Sequence, residues 1–125
     1  MENIELLKRL CETPGVPGRE ERVAALILGE IEGLFDTIEQ DALGSLICRR
    51  EPRAGKKPKK GTAASTPDGR PLRVMLLCHM DEIGFYVTSI DKNGFLWVNP
   101  AGGFDTRNLF SRRVLVCTED GDYKA

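Results

Sequence analysis

Between Leu72 and Cys78 the chain is apolar with almost no break, running Val74-Met75-Leu76-Leu77-Cys78 without the alternation that would leave one side for water. A strand of this composition has to be covered on both faces, and the cover comes from helices packed on an open sheet. The segment therefore predicts a central strand in an α/β fold. A length of 125 residues with 41% hydrophobic content suits one globular domain with one core.

The residues before this run supply the helices. Ile4, Leu7, Leu10 and Cys11 recur at three- and four-residue steps and predict a short amphipathic helix from Glu2 to Cys11. Thr13-Pro14-Gly15 ends it, because Pro14 cannot continue a hydrogen-bonded helix and disfavours helical geometry at Thr13. With Gly18, the loop Pro14 to Gly18 reads as a rigid corner. A second helix is expected from about Arg19, with Glu20 and Glu21 at the positive end of its dipole and Val23, Leu26, Ile27, Ile31 and Leu34 along one face. Thr37-Ile38-Glu39-Gln40, Asp41-Ala42-Leu43-Gly44 and Leu46-Ile47-Cys48 then read as strand, turn and returning strand.

Between Arg49 and Lys60 seven basic residues crowd together, followed up to Pro71 by small and polar residues, so residues 51–71 are expected to form a solvated loop insertion. After the apolar run, Phe85 to Ile90 and Phe95 to Val98 flank Asp91-Lys92-Asn93-Gly94, a hairpin whose Asn-Gly pair is suited to positive backbone angles. Its aromatics, Phe85, Tyr86, Phe95 and Trp97, are assigned to sheet packing. A last strand, Arg113 to Cys117, precedes Glu119-Asp120-Gly121 and four final residues, which reads as a hairpin lacking its second arm and so as a truncated polypeptide.

Eighteen basic residues against nineteen acidic ones leave no field that favours nucleic acid. The basic cluster fails the spacing of a phosphate loop, having neither the four-residue gap nor the Gly-Lys-Ser/Thr ending, and it lacks aromatics for base stacking. No apolar run approaches the roughly 20 residues that cross a bilayer, and no secretory leader precedes the first helix, so neither a nucleic acid nor a membrane is an expected partner. Cys11, Cys48, Cys78 and Cys117 form no CxxC pair and are expected to be buried free thiols, in keeping with a reducing, cytoplasmic setting.

The one histidine, His79, leaves the C-terminal end of the apolar run, where open α/β sheets collect their ligands. In extended geometry His79 and Asp81 share a face while Cys78 and Met80 point to the other. Asp81 can then accept a hydrogen bond from the imidazole, fixing its tautomer and strengthening its hold on a metal. A histidine with an aspartate two residues on is also a common structural pair, so these residues alone leave both readings open.

The run His79-Met80-Asp81-Glu82-Ile83-Gly84-Phe85 after an apolar strand resembles the first metal-binding motif of the deblocking, or tetrahedral, aminopeptidases. Similar to that family, in the same order, are the helix closed by Thr13-Pro14-Gly15 with Gly18, the stretch Asp41-Ala42-Leu43-Gly44-Ser45-Leu46-Ile47, Gly94-Phe95-Leu96, and Pro100-Ala101-Gly102-Gly103-Phe104-Asp105. Ser45 stands where relatives often carry Asn, and the basic insertion looks longer than usual.

The resemblance implies a metal-dependent aminopeptidase acting on peptide N-termini. His79 would be a ligand to one of two divalent metal ions per complete subunit, zinc or cobalt, and Asp81 would orient it. Glu82 and Gly84 match the motif without an assigned role. Residues 1–84 would be the N-terminal part of a catalytic α/β domain with a partial mixed sheet and flanking helices, and residues 85–125 the start of a β-barrel-like inserted domain. The parent would be a homo-oligomer, a hollow dodecamer. The family's bridging Asp, its Glu-Glu pair and its second ligand His have no counterpart here, and one imidazole does not make a catalytic metal site, so the chain alone is expected to be inactive. Two rivals stand beside this reading: a noncatalytic β-rich binding module, and a glycosidase, which would need two carboxyl groups facing across a sugar.

Overall fold

The computed structural model describes residues 2–52 and 73–125, so most of the basic insertion, and Leu72 with it, lies outside the described residues. Two helices come first, α1 (Glu2–Glu12) and α2 (Glu21–Glu30). Thr13 closes α1 by donating its hydroxyl to the Arg9 carbonyl at 2.7 Å. Arg9 Nη1 also meets Glu30 Oε1 at 2.6 Å, which ties the two helices together. Between them the corner turns at Gly18, whose φ of +83° belongs to the left-handed region that glycine enters without steric cost.

α2 is shorter than its apolar pattern implied. It stops at Glu30, and Ile31 to Leu34 form a turn through Gly33 at φ +70°, where a left-handed residue ends the helical run. Glu20 does not cap α2 with its side chain; its Oε1 accepts the Gly18 N–H at 2.6 Å instead. Val23 and Ala24 on α2 form the buried apolar core among the described residues.

Three antiparallel hairpins follow. β1 (Thr37–Gln40) pairs with β2 (Leu46–Arg49) in the register Ile38 to Cys48 and Gln40 to Leu46. β3 (Gly84–Ile90) pairs with β4 (Leu96–Ala101), with a bulge at Thr88, whose hydroxyl donates to the Trp97 carbonyl at 3.0 Å. β5 (Leu115–Cys117) pairs with β6 (Asp122–Lys124).

The first two hairpins close through one device. In each, an aspartate side chain accepts two backbone amides and its backbone brackets a glycine: Asp41 Oδ1 takes Leu43 N–H and Ser45 N–H at 2.9 Å each, and Asp91 Oδ1 takes Asn93 N–H at 2.8 Å and Phe95 N–H at 3.0 Å. Gly44 and Gly94 then donate to those aspartates' carbonyls at φ +91° and +87°. Positive φ falls on Gly94 alone and not on Asn93, so the turn is an aspartate-anchored loop and not the two-residue Asn-Gly reversal.

Four expectations need correction. The apolar run is not a central strand: residues 73–83 carry no strand, and Val74, Met75, Leu76 and Leu77 are exposed, Leu76 at 86%. A strand exists only where a neighbour takes up its backbone hydrogen bonds in a ladder, and among the described residues only Glu82, near the end of the segment, gives its N–H to another backbone carbonyl, that of Gly15. The closing hairpin does possess its second arm, because β6 returns and Val114 and Ala125 exchange both backbone hydrogen bonds at 2.9 and 3.0 Å. The thiols are free as expected but not buried: Cys11, Cys78 and Cys117 are exposed and Cys48 is half-buried. The hairpin aromatics are largely uncovered, Trp97 at 63% and Phe95 at 69%, and among the described residues only Phe85 of them finds an aromatic partner, meeting Phe104 edge-on at 5.0 Å.

Candidate metal-ligand corner

His79 and Asp81 are brought together. His79 Nε2 lies 3.2 Å from Asp81 Oδ1, with the imidazole 79% exposed and the carboxylate side chain 32% exposed. The two side chains meet across the single intervening residue, Met80. With its proton on Nε2 the neutral ring donates to Asp81 and presents the lone pair of Nδ1 outward, the arrangement in which a carboxylate steadies a ligating histidine.

The segment is held at Glu82. Its N–H donates to the Gly15 carbonyl at 2.8 Å, and its Oε1 accepts the Gly15 N–H at 3.4 Å. Four residues on, the Tyr86 hydroxyl donates to the Pro17 carbonyl at 2.5 Å. The packing admits no side chain at the neighbouring glycines: a Cβ on Gly15 would stand 2.7 Å from Val23 Cγ1, one on Gly84 would collide with Val16 Cγ1, and one on Gly102 would stand 2.7 Å from Ile83 Cγ2. The rigid corner expected at Pro14–Gly18 is therefore the seat on which the histidine-bearing segment rests. Sequence reading named Glu82 as matching the motif but assigned it no role, since its partner lies 67 residues away.

A second group gathers beside this seat. Arg22 Nη1 on α2 reaches Asp122 Oδ2 on β6 at 2.6 Å. The Arg22 guanidinium holds the Asp122 carboxyl below the usual carboxylate range. Although Cys117 is exposed as a residue, the limited desolvation of its thiol, reinforced by Asp122, pushes it up. Asp105 of the Gly-Gly-Phe-Asp run binds Arg107, whose guanidinium meets both carboxylate oxygens and lowers that carboxyl too.

The donor set fits one corner of a metal site and not a whole one. An imidazole with a carboxylate behind it is suited to a divalent metal ion, but no group of three or more His, Cys, Asp or Glu side chains able to hold an ion exists among the described residues. No helix among them is long and apolar enough to cross a membrane.

Comparison with known proteins finds relatives that match nearly the whole chain. The M42 glutamyl aminopeptidase family matches residues 61–125. The FrvX protein of Escherichia coli K12 is 35% identical over 119 residues, covering 95% of this chain and 29% of its own length. The lysyl aminopeptidase of Pyrococcus furiosus is 33% identical over 119 residues, covering 94% of this chain and 30% of its own. Among solved structures, the Pyrococcus horikoshii TET1 peptidase, which can assemble into a tetrahedron or a large octahedral shell, superposes with a TM-score of 0.73 at 36% identity, covering 97% of this chain and 31% of that one. The chain thus spans about 30% of the length of the relatives it matches.

Proposed function

This chain belongs to the M42 glutamyl aminopeptidase family, and from that membership we propose that it forms the N-terminal part of a metal-dependent aminopeptidase, with His79 as a metal ligand and Asp81 as the group that orients it. The observation that carries the assignment is the 3.2 Å approach of His79 Nε2 to Asp81 Oδ1, with the ring open to its surroundings, inside the stretch that matches the family. Names of relatives support the reaction class, hydrolysis of N-terminal residues from peptides.

Divalent metal ions, when bound, would supply Lewis-acid polarisation of the scissile carbonyl. The residues of this chain have narrower tasks. His79 offers one nitrogen lone pair, and Asp81 keeps the proton on the other nitrogen and holds the ring plane. The Gly15–Glu82 pairing keeps the segment that carries both at a fixed place against α2. A general base and the remaining ligands have to come from residues other than these, so the 125-residue chain by itself should not turn over peptides.

In a subunit that carries the remaining length of the relatives, residues 1–84 would belong to the catalytic α/β domain and residues 85–125 would begin an inserted β-barrel-like domain. Residues 74–78 would there become a strand of a mixed sheet; their apolar character on both faces, exposed as they stand, supports this. Such a subunit would assemble with copies of itself, as the TET1 peptidase does.

The test is His79→Ala in the full-length subunit. Bound zinc or cobalt at this position and peptide turnover should both disappear, with turnover falling by at least about a thousandfold because one ligand of a closed set is lost. Parental metal content and turnover would remove the assignment.

A further inference from the structure

We propose that Glu82 is a positioning residue for the metal corner, acting through its reciprocal pairing with Gly15 to aim the segment that carries His79 and Asp81; the proposal rests on the reading of His79 as a ligand. In a paired strand the ladder of backbone hydrogen bonds fixes where each side chain points. Residues 79–83 lie past the strand proposed for 74–78 and carry no ladder among the described residues, so the pairing of Glu82 with Gly15 bears on the direction of His79. The bonds that reach across the sequence in this region meet at residues 15–17: Glu82 N–H to the Gly15 carbonyl, Gly15 N–H to the Glu82 carboxylate, and Tyr86 hydroxyl to the Pro17 carbonyl.

Glu82 is next to Asp81 and three residues from His79, so a shift at this anchor passes directly into the ring. Gly15 is buried, and its N–H, turned toward Glu82, needs an acceptor that water does not supply there. The neighbouring contacts are tight on both sides. Val16 lies where a Gly84 side chain would be, and Ile83 lies where a Gly102 side chain would be, so the chain is closely packed on the far side of the anchor. One carboxylate oxygen accepts the Gly15 N–H, and the role proposed for it is to position the segment.

The experiment uses the full-length subunit with cobalt(II) as probe. Glu82→Met keeps the length of the side chain and removes the acceptor; Glu82→Gln keeps an acceptor oxygen and removes the charge. For Glu82→Met we expect a weakened cobalt affinity and a kcat lower by about tenfold at unchanged KM, an altered visible cobalt spectrum at saturation, and faster hydrogen exchange at the Gly15 amide. Glu82→Gln should restore all four to within about threefold of the parent. Tyr86→Phe, which loosens the same seat without touching Glu82, should move the cobalt spectrum in the same direction, and it carries the test if Glu82→Met does not fold.

Faster exchange at Gly15 with parental cobalt affinity, spectrum and kcat would overturn the proposal, since the clamp would then position nothing. So would a Glu82→Gln protein as impaired as Glu82→Met, because charge and not the hydrogen bond would be at work. His79→Ala run alongside separates the two ideas: if it keeps cobalt and activity the ligand assignment fails, whereas if it loses both while Glu82→Met loses nothing, only the positioning role fails.

Discussion

Asp122 reaches back across a hundred residues to Arg22, and its carboxyl is lowered first by that hydrogen bond and then by the charge. A carboxyl with a depressed folded pKa contributes stability above its ordinary pKa of about 3.9 and loses it as pH falls through the lower folded value. Carbon-detected NMR should therefore give Asp122 a midpoint below about 3.9 that rises back in Arg22→Gln. Asp122→Asn should also lower the Cys117 pKa, because Asp122 holds that thiol up, so a thiol reagent at mildly alkaline pH should modify Cys117 faster in the variant. An unchanged rate would show that burial, the first cause, acts alone. Neither partner was foreseeable from sequence, since nothing local links position 22 to position 122. The pairing of His79 with Asp81 was legible because one residue separates them in sequence, whereas Glu82 pairs with Gly15 and needs the folded corner to be seen.

Among the elements, the hairpins were the easiest to read, and the reason lies in Asp41 and Asp91. A D-x-x-G sequence carries its own acceptor for the turn amides and its own left-handed residue, so tertiary contacts add little. Gly94→Ala should thus destabilise the β3–β4 hairpin by about 1–2 kcal/mol, read from Trp97 fluorescence against urea, because alanine resists φ +87°. Gly29→Ala in α2 should do the opposite, since a Cβ there meets nothing within 4 Å and helix propensity favours alanine by up to about 1 kcal/mol. Equal effects from the two would contradict this account of the turn. β6 escaped sequence reading because Asp122-Tyr123-Lys124 is too short and too polar to show a pattern; its partner strand and the Val114–Ala125 bonds create it. The apolar run misled in the other direction, since composition announces what a segment needs around it and not whether the neighbours are there.

At the scale of the whole molecule the same point governs the exposed surface. Val23 and Ala24 are the buried apolar side chains among the described residues, while Val74 to Leu77 and Trp97 stand exposed. The relatives are about three times as long as this chain. What the chain contributes on our account is a seat, built from the Pro14–Gly18 corner and α2, and one imidazole presented from it. The most direct test is an anomalous-difference map from crystals of the full-length subunit loaded with zinc. The account predicts a metal peak about 2.0–2.1 Å from one ring nitrogen of His79, with Asp81 hydrogen-bonded to the other. A zinc peak elsewhere, with the His79 ring free of metal, would contradict it.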